Sequence, residues 1–213
     1  MAEGLRERKK RQTRQNISDV ATGLFLDRGF EAVTVAEIAA AAEVSVNTVY
    51  NYFPAKEDLF LDREAEVADR MAAAVRGRRG GESAARAVLR GLREELVAVS
   101  PAVGLVEGYE RFIRVILESP ALSARIEELH RRAVDGLAAV LRAEAAAGPE
   151  DPEPALVAGA LGWVNTTVLG LVSHRMAQGG APQEVAREAL AQLDVVEELL
   201  GARLLNYAVK NTP

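Results

Sequence analysis

The sequence predicts an all-α fold of about nine helices, a small three-helix unit at the N-terminus followed by a larger helical bundle. Apolar residues recur at helical spacing along most of the 213 residues. No run shows the sustained alternation of a half-buried strand, and the breaks fall at clusters of Gly, Pro and Ser.

Ile17, Val20, Ala21, Leu24 and Phe25 form one buried stripe of the first helix, which Gly29 ends. Thr34-Val35-Ala36-Glu37 has the form of a capping box opening the second helix. The pattern breaks after Ala42, and Ser45 caps a short third helix that runs to Phe53 and stops at Pro54. A long helix is expected from about Ala55 to Arg76, with Glu57 and Asp58 in its first turn. Further helices are expected near 83–99, 102–118, 121–147, 154–177 and 183–205. The expected division places a helix-turn-helix domain at 1–54 and the bundle at 55–213. Residues 155–173 carry no charge and approach membrane-spanning length. Their polar Asn165, Thr166, Thr167 and Ser173 favour the buried centre of a bundle over a membrane span.

The chain has 26 Lys+Arg, 31 Asp+Glu, two His and no Cys. The composition excludes a disulfide framework, a thiolate zinc site and thiolate catalysis. Two histidines 44 residues apart and the absence of nucleophile, phosphate-loop or dinucleotide motifs argue against an enzyme and against a bound metal or cofactor. The first ten residues lack the apolar stretch of a secretory signal, so a cytoplasmic location is expected. Residues 1–14 carry +4 and the rest −9. A basic tip on an acidic body suits a nucleic-acid binder with one contacting end, and equally a solvated terminus.

Thr34 to Leu59, TVAEIAAAAEVSVNTVYNYFPAKEDL, reads as helix, tight turn, helix. Ala39, Ala40 and Ala42 allow close crossing, while Ile38, Val44, Val49 and Phe53 are the expected anchors. Val46, Asn47, Thr48, Tyr50, Asn51 and Tyr52 share the remaining surface of the third helix, and none is acidic. Such a face beside a basic arm suits a major groove and its phosphate walls.

This segment resembles the DNA-binding region of the TetR family of bacterial transcriptional regulators, whose pattern is roughly T-x-x-x-I-A-x-x-A-G-V-S-x-x-T-x-Y-x-Y-F-x-x-K-x-x-L. The matches are Thr34, Ile38, Ala39, Ala42, Val44, Ser45, Thr48, Tyr50, Tyr52, Phe53, Lys56 and Leu59. Glu43 and Asn47 stand where the family often has glycine, and a non-glycine residue at positive φ costs about 1 kcal/mol. The resemblance implies phosphate contacts from Thr34 and Ser45 at helix starts and from Tyr50, Tyr52 and Lys56. It implies base-edge contacts from Val46, Asn47, Thr48 and Asn51, with Arg11 and its basic neighbours on the backbone or in a minor groove.

It also implies a C-terminal bundle that binds a small effector and a second copy of the chain. Gly159, Gly162, Gly170, Val185, Ala189, Leu193 and Val196 are the expected dimer seam. Effector candidates are Glu107, Tyr109, Phe112, Trp163, Asn165, Thr166 and Thr167, the last three equally able to bond neighbouring backbone. The implied function is a homodimeric, ligand-responsive repressor on a palindromic operator in double-stranded DNA, released by a neutral or hydrophobic small molecule. The alternatives are a co-repressed or activating regulator and a helical interaction protein.

Overall fold

The computed structural model describes residues 4–62 and 69–210, and every regular element among them is helical. The helices are α1 (Leu5–Arg28), α2 (Val35–Ala41), α3 (Val46–Tyr52), α4 (Lys56–Phe60), α5 (Arg70–Arg76), α6 (Ala84–Val97), α7 (Tyr109–Glu118), α8 (Pro120–Glu144), α9 (Glu153–Ala177), α10 (Pro182–Leu199) and α11 (Ala202–Leu205). A 3-10 turn, Pro101–Val103, lies between α6 and α7. The chain divides into two compact units, Met1–Ala65 with Arg114–Ile126 and Glu66–Ile113 with Glu127–Pro213.

In the first unit, Ile17, Ala21 and Phe25 of α1 are fully buried with Val33, Ile38 and Val49. Phe25 lies 5.0 Å from Phe30 and 5.7 Å from Phe60, centroid to centroid, the latter edge-on. The expected stripe of α1 is thus its core face, and Gly29 ends the helix at φ 82°. The junction of α7 and α8 belongs to this unit. There Ser119 donates to Glu31 at 2.8 Å, and Arg125 to Asp58 at 2.7 Å.

In the second unit, α6 and α9 run through two apolar clusters. One gathers Leu89, Leu92 and Leu96 of α6, Val164, Val168 and Val172 of α9, and Val185, Ala189, Leu193 and Val196 of α10. The other joins Val75, Ala84, Val88, Leu137 and Leu141 to Val157, Ala158 and Leu161. Arg78, almost fully buried, ties the C-terminal residues down by donating to the carbonyls of Val75 at 2.7 Å and Ala208 at 3.1 Å and pairing with Glu144 at 2.8 Å.

Several sequence expectations require correction. The continuous helix from 55 to 76 is not found, since α4 ends at Phe60 and α5 starts at Arg70; residues 63–68 lie outside the described residues. The helix expected over 102–118 begins only at Tyr109, because Gly104 and Gly108 adopt positive φ near 83°. A Cβ on Gly104 would stand 2.6 Å from the Tyr109 ring, so glycine lets that ring seat against the backbone. Residues 183–205 break at Leu200-Gly201, separating α10 from α11.

Part of the expected dimer seam is covered within the single chain. Val185, Ala189, Leu193 and Val196 are buried within their own chain, and Gly162 is closed by Val134, whose Cγ2 would lie 2.5 Å from an added Cβ. Nor is α9 enclosed all round. It is long and apolar enough to cross a membrane by length and composition, but one face packs inside the bundle while Leu156 and Trp163 stay 69% and 52% exposed.

Because Leu193 fills an intramolecular core, Leu193→Ala should lower unfolding stability by about 2–5 kcal/mol. Urea unfolding would check this, with a midpoint loss that is the same at all protein concentrations. A loss that vanishes on dilution would place Leu193 between chains.

Candidate nucleic-acid interface

A helix-turn-helix is built here from two seven-residue helices whose ends are held by local side chains. The Thr34 hydroxyl accepts from the Glu37 N–H at 3.2 Å, and the Glu37 carboxylate accepts from the Thr34 N–H at 2.8 Å. Arg28 donates to the same carboxylate at 2.8 Å, joining α1 to the start of α2. The backbone Thr34 bond, then the Arg28 and Thr34 side chains, hold the Glu37 carboxyl down at about 2, from an ordinary 4.5.

The turn between α2 and α3 is a Schellman motif. The Glu43 N–H donates to Ala40 O at 3.2 Å and the Val44 N–H to Ala39 O at 2.9 Å. Glu43 sits in the left-handed region at φ 56°, so the turn forms without glycine and carries a strain of about 1 kcal/mol. Ser45 then caps α3, accepting from the Thr48 N–H at 3.0 Å, and its hydroxyl lies 2.8 Å from the Thr48 hydroxyl.

Val49 and the following Phe53 are buried, which orients α3. At 3.6 residues per turn, Val46, Asn47, Tyr50 and Asn51 then share the opposite face, and all four are exposed. This face carries no charge. Thr48 and Tyr52 lie half-buried on its flanks, Thr48 with its hydroxyl engaged by the Ser45 cap. Thr34 and Ser45 are exposed at the helix starts.

Two basic residues do structural work that the sequence did not reveal. Arg14, counted with the basic arm, donates to Tyr52 O at the end of α3 at 2.9 Å, stacks 4.5 Å from the Phe53 ring centroid and pairs with Asp62. Lys56 donates to Phe30 O at 2.6 Å, and its ammonium stands 4.3 Å from the Phe30 ring centroid. One of its three N–H donors is therefore committed inside the unit. Arg6, Arg8, Lys9, Lys10 and Arg11 form the first turns of α1, exposed and helical rather than extended.

Residues 17–62, from the middle of α1 onward, match the bacterial regulatory proteins of the tetR family. Over these residues the chain matches the TetR family. TetR regulators are DNA-binding proteins, and α2 and α3 form a helix-turn-helix within the matched residues. The chain is 35% identical over 141 residues to the transcriptional regulator TcmR of Streptomyces glaucescens, a match covering 61% of this chain and 60% of that protein. Among solved structures, NalD, the secondary repressor of the MexAB-OprM multidrug efflux pump in Pseudomonas aeruginosa, superposes with a TM-score of 0.55 at 21% identity, covering 87% of this chain and 97% of that one. SmeT, repressor of the Stenotrophomonas maltophilia multidrug efflux pump SmeDEF, gives 0.57 at 18% identity over 94% and 97%. The SmeT–triclosan complex gives 0.59 at 17% identity over 95% and 98%. At these identities the structures show a shared all-helical fold.

The effector candidates separate in the structure. Tyr109 and Phe112 are half-buried and stacked, with centroids 5.5 Å apart, and Tyr109 packs against the core of the second unit. Asn165 and Thr167 are half-buried, whereas Glu107, Trp163 and Thr166 are exposed. The cluster expected inside the bundle is therefore split between its interior and its outer face.

Glu37 gives a pH-dependent reporter of this interface. Its depressed pKa means that the capping box contributes stability above about pH 4.5 and loses it as pH falls toward 2. An NMR titration should find the Glu37 carboxyl midpoint near 2, rising toward 4.5 in Arg28→Met. A wild-type midpoint at the ordinary value would mean that the box does not persist in solution.

Proposed function

We propose that the chain is a homodimeric, ligand-responsive repressor that works in the cytoplasm by covering a palindromic operator. The exposed, acid-free face of α3 carries this reading. A helix of that composition can enter a major groove without electrostatic penalty, and its side chains suit base edges. Val46, Asn47 and Asn51 face the bases, with Asn the side chain best matched to adenine. Tyr50, Tyr52, Thr34 and Ser45 line the phosphates, and Arg11 with its neighbours on α1 supplies the salt-dependent attraction. Thr48 and Lys56 act chiefly by holding α3 and α4 in place, as their internal bonds suggest.

One seven-residue helix reads few bases, so a dimer doubles the site and calls for an operator with matching symmetry. The outer faces of α9 and α10 supply an apolar surface for it. Leu156 and Trp163 lie on one helix and Val195 and Leu199 on the other, all exposed in the single chain. Gly159 and Gly170 line the same side of α9, with nothing within 4 Å of an added Cβ, and so permit close approach of a second helix. The apolar clusters of the second unit suit a neutral or hydrophobic effector, the kind of ligand that triclosan is to SmeT. Such a molecule releases DNA only to the extent that it prefers a dimer whose α3 helices miss the ~34 Å groove spacing.

Selection from a random duplex pool should enrich an inverted repeat. Asn47→Ala should retain the dimer and relax preference at one base pair in each arm, by about fivefold to a hundredfold. Trp163→Glu should give a monomer in analytical ultracentrifugation and lose the inverted repeat. A folded wild-type dimer that enriches nothing, or an Asn47→Ala profile identical to wild type, would contradict the assignment.

A further inference from the structure

We propose that residues 201–210 form a releasable strap over the apolar cluster of α5, α6, α8 and α9, which opens as a unit and lets a neutral hydrophobic molecule take its place. The proposal rests on the reading that such a molecule is the effector. After the helix breaks at Leu200-Gly201, the chain returns across the turn between α5 and α6 and bonds to it repeatedly. The Gly81 N–H donates to Lys210 O at 2.8 Å, the Lys210 N–H to Glu82 O at 3.0 Å and the Ala84 N–H to Tyr207 O at 3.1 Å. The Ser83 hydroxyl donates to Leu205 O, and the Lys210 ammonium to Arg78 O at 3.0 Å. An exposed ion pair, Arg203 with Glu153, joins the strap to α9.

These ties can be given up without dismantling a core. No residue from 201 to 210 is itself buried, whereas α10 just before it buries Val185, Ala189, Leu193 and Val196. Helix α11 has four residues, too few to persist once detached. Water replaces the released hydrogen bonds at a small net cost. Beneath the strap, Arg78 is almost fully buried and donates to Ala208 O at 3.1 Å, while its Nε lies buried without an acceptor among the described residues. Opening admits water to this cation, which offsets part of the cost of lifting the strap.

The strap covers apolar surface. Leu204, Tyr207 and Ala208 pack against the cluster that holds Val75, Ala84, Leu137, Leu141, Val157 and Leu161. Water disfavours that surface once it is uncovered, so the strap closes again. A neutral apolar molecule seated there holds the strap open, to the extent that it prefers the open form. The turn between α5 and α6 loses its bonds to the strap in the same event.

Residue-resolved hydrogen exchange on the full chain tests this, with the neutral fluorophore N-phenyl-1-naphthylamine as probe. The amides of Gly81, Ala84 and Lys210 should exchange together and faster than that of Leu193 in the core. Saturating probe should speed the exchange of all three. Arg78→Met keeps the apolar stem and loses the bond to Ala208, so it should raise their exchange about tenfold to a hundredfold, leave Leu193 unchanged and bind the probe more tightly. Exchange of the three amides at the rate of Leu193 in wild type would overturn the strap, because they would then open only with the whole unit. Probe that binds while slowing them or leaving them unchanged would overturn the exchange of strap for ligand. Failure of both proteins to bind the probe would instead overturn the hydrophobic effector on which the proposal rests.

Discussion

A helix of seven residues has no independent stability in water, so the face proposed to read DNA exists only because tertiary contacts hold α3 in shape. Val49 and Phe53 bury one side of it. Ser45 satisfies its first turn, and the Arg14 guanidinium takes up Tyr52 O at its end. The Schellman turn at Glu43 fixes the direction in which the chain enters the helix. With these constraints met, Val46, Asn47, Tyr50 and Asn51 have nowhere to point but outward.

The same logic extends away from α3. Lys56 holds the start of α4 to the carbonyl of Phe30, and Glu37 joins α2 to Arg28 of α1. These polar ties surround an aromatic core of Phe25, Phe30 and Phe60. In the second unit the dominant constraint is apolar area. Helices α9 and α10 are apolar on more than one side, and a single chain covers only the side that includes Val168, Val172, Leu193 and Val196. The outer side, with Leu156, Trp163 and Leu199, is where a second copy finds its surface in the proposed dimer.

Local features were legible in the sequence because their partners are close along it. The Thr34–Glu37 box, the Ser45 cap, the Gly29 stop and the buried Phe53 all follow from residues within a turn or two. Distant ties were not legible. Arg14 looked like one more charge in a basic run, yet its carbonyl partner is 38 residues away, and that of Lys56 is 26 away. Periodicity showed that Val185, Ala189, Leu193 and Val196 form a covered stripe, but it cannot say which chain does the covering. Gly104 and Gly108 sit in a mostly apolar stretch, where only the backbone conformation reveals that they delay the start of α7 to Tyr109.

The most direct test of α3 as the DNA face uses the absence of cysteine from the natural chain. Single cysteines placed at Asn47, at Asn51 and, for comparison, at exposed Arg86 of α6 can each carry a DNA-cleaving iron chelate. On a selected duplex, cleavage from positions 47 and 51 should fall within both arms of the repeat, with none from position 86. Cleavage from position 86 alone, or equal cleavage from all three, would contradict the account.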